Sequence, residues 1–319
     1  MSNIIITGST GFIGSNLTRY LVKSKAKNQI NIFRRENSDL WRIQDIINDV
    51  TTHIIDIHNS RNIQKKIKEI KPDIIYHCAA YGVKPYQNST SDLIRTNVIG
   101  SINLFRACLE YNDLKRFVNL GSSFEYGHKS KPIQETDFLD PITPYGISKA
   151  TQTYFAKYFS RQKLPVVTLR VFTPYGKYED SGRLVYDIMQ SLIWKKPLTL
   201  SSPQAHRDFI YIDDVIEALI KAASSPSVEG EIFNIGSGRD YSVEELLNLA
   251  CDVTKTKIEI IFKKNNTREF DRVGGRGYAN IQKAKRLGWK PKCSIKDGLL
   301  KTYNWYKQNF KLYYSRNEI

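Results

Sequence analysis

An α/β fold is predicted for this chain: a doubly wound parallel sheet with helices on both faces and a smaller α/β part toward the C-terminal end. Three observations carry it. An apolar run at residues 3–7 opens into Gly8-Ser9-Thr10-Gly11-Phe12-Ile13-Gly14 and then into apolar residues at helical spacing, Leu17 and Leu21. Short apolar runs that read as buried strands recur through residue 172, separated by helical patterns. Tyr145 and Lys149 stand four residues apart, a spacing that stacks two side chains on one helix face.

Composition sets the outer limits. The 319 residues suffice for one large or two ordinary domains, and 41% hydrophobic with 25% charged residues reads as a soluble globular protein. No run of eighteen apolar residues exists, so no membrane contact is expected. Ile4-Ile5-Ile6 is followed at once by polar residues, unlike a secretory signal. Cys78, Cys108, Cys251 and Cys293 are far apart and form no metal-type pair. They read as free thiols of a reducing cytoplasm. The net charge is +16, from 48 basic and 32 acidic residues. These charges are spread along the chain, so a solvated basic surface is expected rather than a nucleic-acid site.

Strand, glycine turn and helix at the N-terminus form the context that a dinucleotide fingerprint requires. Gly8 permits the tight turn, Gly11 lets the backbone approach a pyrophosphate, and Gly14 lets the helix pack closely on the sheet. The helix N-terminus, with Phe12 and Ile13, then faces the phosphates. The spacing is GxxGxxG rather than GxGxxG. Together with Tyr145-x-x-x-Lys149 it resembles the extended short-chain dehydrogenase/reductase family, whose members modify nucleotide sugars. The resemblance implies a Rossmann domain over 1–172 and a smaller substrate domain over 173–319, with segments near 208–238 returning to the first. It also implies a nucleoside-diphosphate sugar as substrate and a homodimer that pairs through two helices of each chain.

Residues 29–33 read as the second strand, ending at Arg34-Arg35 where NAD-preferring relatives carry Asp. Guanidinium groups pair with a 2′-phosphate that an acid would repel. NADP(H) is therefore expected, with NAD(H) possible; the alternative is that both arginines are exposed loop charges. Residues 52–57 read as the third strand, and the resemblance gives Asp56 and Ile57 the adenine. Residues 73–80 form the fourth strand, where small Ala79 and Ala80 leave room for a cofactor and His77 reads as structural. A helical pattern starts near Thr96, and the resemblance makes Asn97 a support of the cofactor region. Residues 116–120 form the fifth strand and deliver Ser122.

The expected reacting set is Ser122, Tyr145 and Lys149. A free Tyr titrates near pH ~10, and a nearby ammonium favours its phenolate. Such a phenol can exchange a proton with a sugar oxygen, and Ser122 would orient that oxygen. The related 4,6-dehydratases carry Asp-Glu where this chain has Ser123 and Phe124, so elimination of water is not expected. Ser123 remains a candidate substrate contact and Glu125 a candidate support.

A sixth strand over 164–172 runs into Thr173, where relatives have an Asn that touches the sugar diphosphate. His206-Arg207-Asp208-Phe209 matches a family segment and makes Arg207 a diphosphate clamp; the alternative is a structural pair with Asp208 or Asp214. Ser242 and Glu245 have capping-box spacing. Arg272 or Arg276 is expected to supply a second phosphate contact, and Trp289 to be structural. Three functions follow: an NADPH-dependent 4-ketoreductase of a nucleotide-linked 4-keto-6-deoxy sugar, a 4-epimerase that keeps its nicotinamide bound, or an idle Rossmann protein that binds a partner through its basic surface.

Overall fold

Seven strands of the computed structural model form one sheet: β1 (Asn3–Thr7), β2 (Gln29–Arg34), β3 (Thr51–Ile54), β4 (Ile74–His77), β5 (Arg116–Ser122), β6 (Val166–Val171) and β7 (Ile232–Ile235). The described residues are 2–24, 26, 28–82, 86–129, 131–200, 202–262 and 277–314. The strand order is β7-β6-β5-β4-β1-β2-β3, and every neighbouring pair is parallel. The chain winds outward from β1 to β3, then crosses back to β4 on the other side of β1. Ligands of such sheets sit beyond the strand ends at this reversal.

The flanking helices are α1 (Phe12–Lys23), α2 (Ser60–Ile70), α3 (Ser101–Tyr111), α4 (Pro144–Arg161), α5 (Leu184–Trp194), α6 (Ile212–Ser224), α7 (Val243–Thr254) and α8 (Ile295–Asn309). Both sheet faces are covered, which is why β1 is apolar without alternation. Ile5 joins Phe33, Ile63, Phe105, Phe117 and Phe159 in one core. Its neighbours Ile4 and Ile6 point the other way, into a core that runs on through Leu17 and Leu219 to Trp289, Leu299 and Tyr306.

Two predicted strands end early. The third stops at Ile54 rather than Ile57, and the fourth at His77 rather than Ala80. One further ladder bond follows each, Ile55 N–H to Arg34 O at 2.9 Å and Cys78 N–H to Thr7 O at 3.1 Å. Beyond that the chain turns out over the sheet end and lines the cleft. The helix expected from Thr96 begins at Thr90 and passes through a π-type turn, Ile94–Gly100, before α3.

After β6 the chain builds small paired pieces above the sheet end. Thr173–Tyr175 runs parallel to Phe209–Tyr211, and His206–Arg207 runs antiparallel to Tyr241–Ser242. Between Phe209–Tyr211 and Tyr241–Ser242 the chain returns to the sheet as β7, beside β6. The capping box of α7 is formed: Ser242 N–H donates to Glu245 Oε2 at 2.7 Å, and Glu245 N–H donates to Ser242 Oγ at 3.0 Å. Trp289 is buried and donates from Nε1 to Asp214 O at 2.9 Å, a structural role as expected. Among the described residues no helix is long and apolar enough to cross a membrane.

Candidate active site

The glycine turn closes the end of β1 against β4. Gly8 adopts φ 68°, and a Cβ there would lie 2.5 Å from the Ala79 nitrogen. Gly14 differs from the expectation: a Cβ on it would overlap the Gly8 carbonyl, so it lets α1 press onto the turn itself rather than onto the sheet. A Cβ on Gly11 would meet only Gly8 O, at 3.3 Å. Gly11 starts α1 without any side-chain cap. The first N–H groups of that helix, at Phe12 and Ile13, therefore present positive dipole ends without a side-chain acceptor. A bare backbone surface beside an uncapped helix N-terminus fits a pyrophosphate.

Arg34, Asp56, Ile57, Ala79 and Ala80 line the same cavity as this turn. Arg34 donates from one terminal nitrogen to Arg35 O and Glu36 O at 3.1 Å, while its Nε is buried without a partner. Asp56 is held by His58, whose N–H donates to Oδ1 at 2.9 Å and whose Nδ1 lies 2.9 Å from the same oxygen. Asn97 does not reach the cavity. Its amide is taken up by Tyr81 N–H at 2.8 Å, Tyr81 O at 3.0 Å and Ser148 Oγ at 2.8 Å. It therefore acts on the cleft by fixing the loop after β4, not by contact. His77 is structural: it bonds Thr7 Oγ1 at 2.7 Å and Ser101 Oγ at 2.8 Å, and burial pushes its pKa down to about 3.

Ser122 ends β5, where the chain breaks into a short 3-10 turn at Ser123–Glu125. Its N–H donates to Glu125 Oε1 at 2.8 Å, its hydroxyl accepts Phe124 N–H at 3.2 Å, and it lines the cavity together with Tyr145. Tyr145 lies in the first turn of α4, which starts at Pro144 after a Thr143 cap that accepts Gly146 N–H at 3.0 Å. Its ring meets Phe124 edge-on at 5.8 Å. Burial raises the Tyr145 pKa to about 12; the Ser122 side chain and the Arg183 charge pull it down, and Glu125 pushes it up.

Lys149 was expected to be the cation that lowers the phenol. Its side chain is 2% exposed, and Nζ donates to Leu120 O at 2.6 Å and to Gln152 Oε1. Gln152 in turn donates to Asn119 Oδ1 at 2.7 Å. The buried ammonium is thus held by acceptors on β5 and α4, and the Arg183 charge also lowers the Tyr145 phenol. Burial brings the Lys149 pKa down to about 8. Glu125 is 0% exposed and lies behind the serine, with Oε2 accepting Arg170 Nε at 2.7 Å. It is a support, not a wall. Ser123 is a correction as well: the turn rotates it out of the cavity, and Phe124 takes its place in the wall.

Thr173 and Arg207 line this cavity too, whose volume is about 1220 Å³. An ordinary small-ligand pocket is roughly 300–1,000 Å³. Arg207 donates to His206 O at 2.7 Å. The two acids offered as its structural partners are engaged elsewhere. Asp208 accepts the N–H groups of Ser237, Gly238 and Ala279, and Asp214 those of Lys292 and Cys293. Arg272 and Arg276 lie outside the described residues.

Glu179 and Arg183 also line the cavity, and neither was singled out as a site residue from sequence. Arg183 Nε lies 2.8 Å from Glu179 Oε1. The available signal was the charge cluster Glu179-Asp180-Ser181-Gly182-Arg183 just after Tyr175-Gly176.

One cavity thus joins a pyrophosphate-type glycine turn to a serine–tyrosine pair. The sequence matches the NAD dependent epimerase/dehydratase family over residues 4–236. A relative from Bacillus subtilis (strain 168), an uncharacterized UDP-glucose epimerase named YtcB, is 30% identical over 93% of this chain and 95% of its own length. A UDP-glucose 4-epimerase from Thermotoga maritima, solved with UDP-glucose, is similar at TM-score 0.87 and 26% identity, covering 97% of this chain and 99% of that one. A dTDP-glucose 4,6-dehydratase from Bacillus anthracis, solved with NAD, matches at TM-score 0.87 and 25% identity over 98% of each chain. With the family's sequence pattern running from β1 into β7 and its fold across almost the whole chain, this protein belongs to the NAD dependent epimerase/dehydratase family, of the extended short-chain dehydrogenase/reductase type.

Proposed function

We propose that this chain is an NADPH-dependent reductase of the C4 ketone of a nucleoside-diphosphate 4-keto-6-deoxy sugar. The observation that carries the reading is that Ser122 and Tyr145 line the same cavity as the glycine turn. Phe124 stands in the wall beside Tyr145 and has no proton to exchange, which argues against loss of water. The nicotinamide, when bound, supplies a hydride to the sugar carbon. Ser122 donates to the carbonyl oxygen and orients it. With its pKa raised to about 12, Tyr145 is protonated at neutral pH, the form that can hand a proton to that oxygen. Lys149 holds a positive charge behind the pair, and Thr173 and Arg207 face the diphosphate. Arg34, with its buried unpartnered Nε at the cavity wall, suits a 2′-phosphate.

A second reading is 4-epimerisation, favoured by the epimerases among the relatives. The same residues would serve it, with Tyr145 first taking a proton from the C4 hydroxyl. Incubation with 4-keto sugar nucleotides and either 4-deuterated NADPH or NADH separates the two. Stoichiometric deuterium at C4, with NADPH used at least about tenfold more efficiently than NADH, is the expected result. Turnover without net cofactor consumption would give the site to the epimerase.

The assembly we propose is a homodimer in a reducing cytoplasm, where four cysteine thiols stay unpaired. Ile147, Tyr154 and Tyr158 are exposed on α4, seven and four residues apart, and Ile94 and Ile99 are exposed on the π-type turn. Apolar groups at helical spacing on neighbouring elements mark an association surface. Ile147→Glu combined with Tyr154→Glu is expected to halve the mass measured by light scattering. An undiminished dimer would rule out this face.

A further inference from the structure

We propose that Glu179 accepts, through Oε2, a hydrogen bond from the sugar hydroxyl next to the reacting carbon, and so decides which sugars are held; this rests on the nucleotide-sugar reading above. Glu179 is 2% exposed. Its Oε1 is engaged by Arg183 Nε at 2.8 Å. Its Oε2 is buried and has no hydrogen-bond partner.

Three other deeply buried carboxylates among the described residues are satisfied. Glu125 has Ser122 N–H on one oxygen and Arg170 Nε on the other. Asp208 accepts from three backbone N–H groups and the Ser237 hydroxyl. Asp214 has a backbone N–H on each oxygen. A carboxylate oxygen taken out of water without a donor is unfavourable, so such an atom in a cavity wall calls for a ligand group.

Among the described residues Oε2 has no donor. The charged and phenolic groups whose electrostatics couple to Glu179 are Arg183, Asp180, Asp187, Tyr306 and Tyr313. Arg183 is already bonded to the other oxygen, and the two aspartates repel. Tyr313 donates instead to the backbone carbonyl of Glu179 at 2.9 Å and lies 3.3 Å from the Tyr306 hydroxyl.

Glu179 is also firmly placed. Tyr178, just before it, is held at φ 65°, an uncommon backbone for a non-glycine residue. Arg42 fixes this stretch by donating to Tyr178 O at 2.7 Å, to Asp180 Oδ1 at 2.8 Å and to Thr10 O of the glycine turn at 3.3 Å. The carboxylate is therefore tied to the cofactor side of the cavity, and its partner Arg183 is within electrostatic reach of the Tyr145 phenol. That places Glu179 in the wall of the cavity that also holds Ser122 and Tyr145.

The chemistry of the partner follows. Burial raises the Glu179 pKa to about 7; above that pH the carboxylate is ionised and acceptor-only, so the ligand atom must be a donor. An ammonium would meet the Arg183 charge, which leaves a neutral hydroxyl. The hydroxyl beside a reacting C4 is that on C3. A ligand that lacks it would leave Oε2 unpaired, and sites of this kind reject such analogues strongly.

The test is calorimetric binding of UDP-glucose and dTDP-glucose, their 3-deoxy counterparts, and UDP and dTDP alone to the full chain. The unaltered protein is expected to bind the 3-deoxy forms roughly tenfold or more weakly. Glu179→Ala should bring that ratio to within about twofold while leaving UDP and dTDP affinity unchanged. Equal binding of hydroxylated and deoxy forms by the unaltered protein overturns the inference and leaves the nucleotide-sugar reading standing. Failure of every one of these nucleotides to bind overturns both. If Glu179→Ala does not fold, the ratio on the unaltered chain still decides, and Glu179→Gln replaces it as the variant of matching shape. A variant that weakens all ligands equally, with the ratio kept, marks Glu179 as a structural partner of Arg183 and counts against the proposal.

Discussion

Tyr145→Phe is expected to lower kcat by about a thousandfold while changing the affinity for the sugar nucleotide little. The substitution removes only the phenolic oxygen. The ring keeps its edge-on contact with Phe124 at 5.8 Å, and Ser122 keeps the Phe124 N–H at 3.2 Å on its hydroxyl. Positioned acid–base catalysis is worth roughly 10²–10⁴-fold, and this phenol is the group in the cavity proposed to supply it. Removing one phenolic oxygen should change stability by no more than about 1 kcal/mol. Steady-state rates, with nucleotide-sugar affinity measured separately, check both parts. Retention of kcat within about tenfold would remove Tyr145 from the chemistry.

Lys149→Met is expected to do two opposite things at pH 7: abolish most turnover and raise stability by about 1–3 kcal/mol. The stability gain comes from burial. A lysine ordinarily titrates at 10.5, and here burial brings it down to about 8. At pH 7 the ammonium is charged both folded and unfolded, and the full penalty of burying it is present. Between about 8 and 10.5 the folded state has released the proton that the unfolded state still holds. Stability from this group therefore rises with pH across that window. The advantage of Lys149→Met should shrink over the same range. Urea unfolding at pH 7 and pH 9.5 reads both limits. A variant less stable than the parent at pH 7 would mean that the bonds from Nζ to Leu120 O and Gln152 Oε1 outweigh the burial.

Both predictions concern residues that were legible in the chain before any fold was known. So was the frame that carries them. The apolar run at 3–7, the glycine turn and the helix after it are contiguous, and each is specified by neighbours a few residues away. Strand edges were less legible. β3 and β4 end three residues before the predicted limits because the sheet end, not the apolar pattern, decides where the chain turns outward.

Roles that depend on where a side chain points were not legible. Asn97 is expected as a support of the cofactor region, and only the fold shows how: it braces Tyr81 and Ser148 from within a π-type turn without lining the cavity. Ser123 and Phe124 are adjacent in sequence, yet the 3-10 turn puts one in the cavity wall and not the other. Glu125 became a brace for Ser122 only once Arg170 on β6 came beside it.

From the chain alone came the identity of the local devices: the phosphate-type turn, the serine, the tyrosine and lysine one helical turn apart, and the missing acid at Phe124. Backbone geometry within a few residues is enough to specify these. Folding alone decided where the lysine charge is held. Lys149 lies four residues from Tyr145, and its Nζ is bonded to Leu120 O on β5 and to Gln152 Oε1. The reason is that a buried charge goes where acceptors converge, and convergence between distant segments is a property of packing that no short-range pattern encodes.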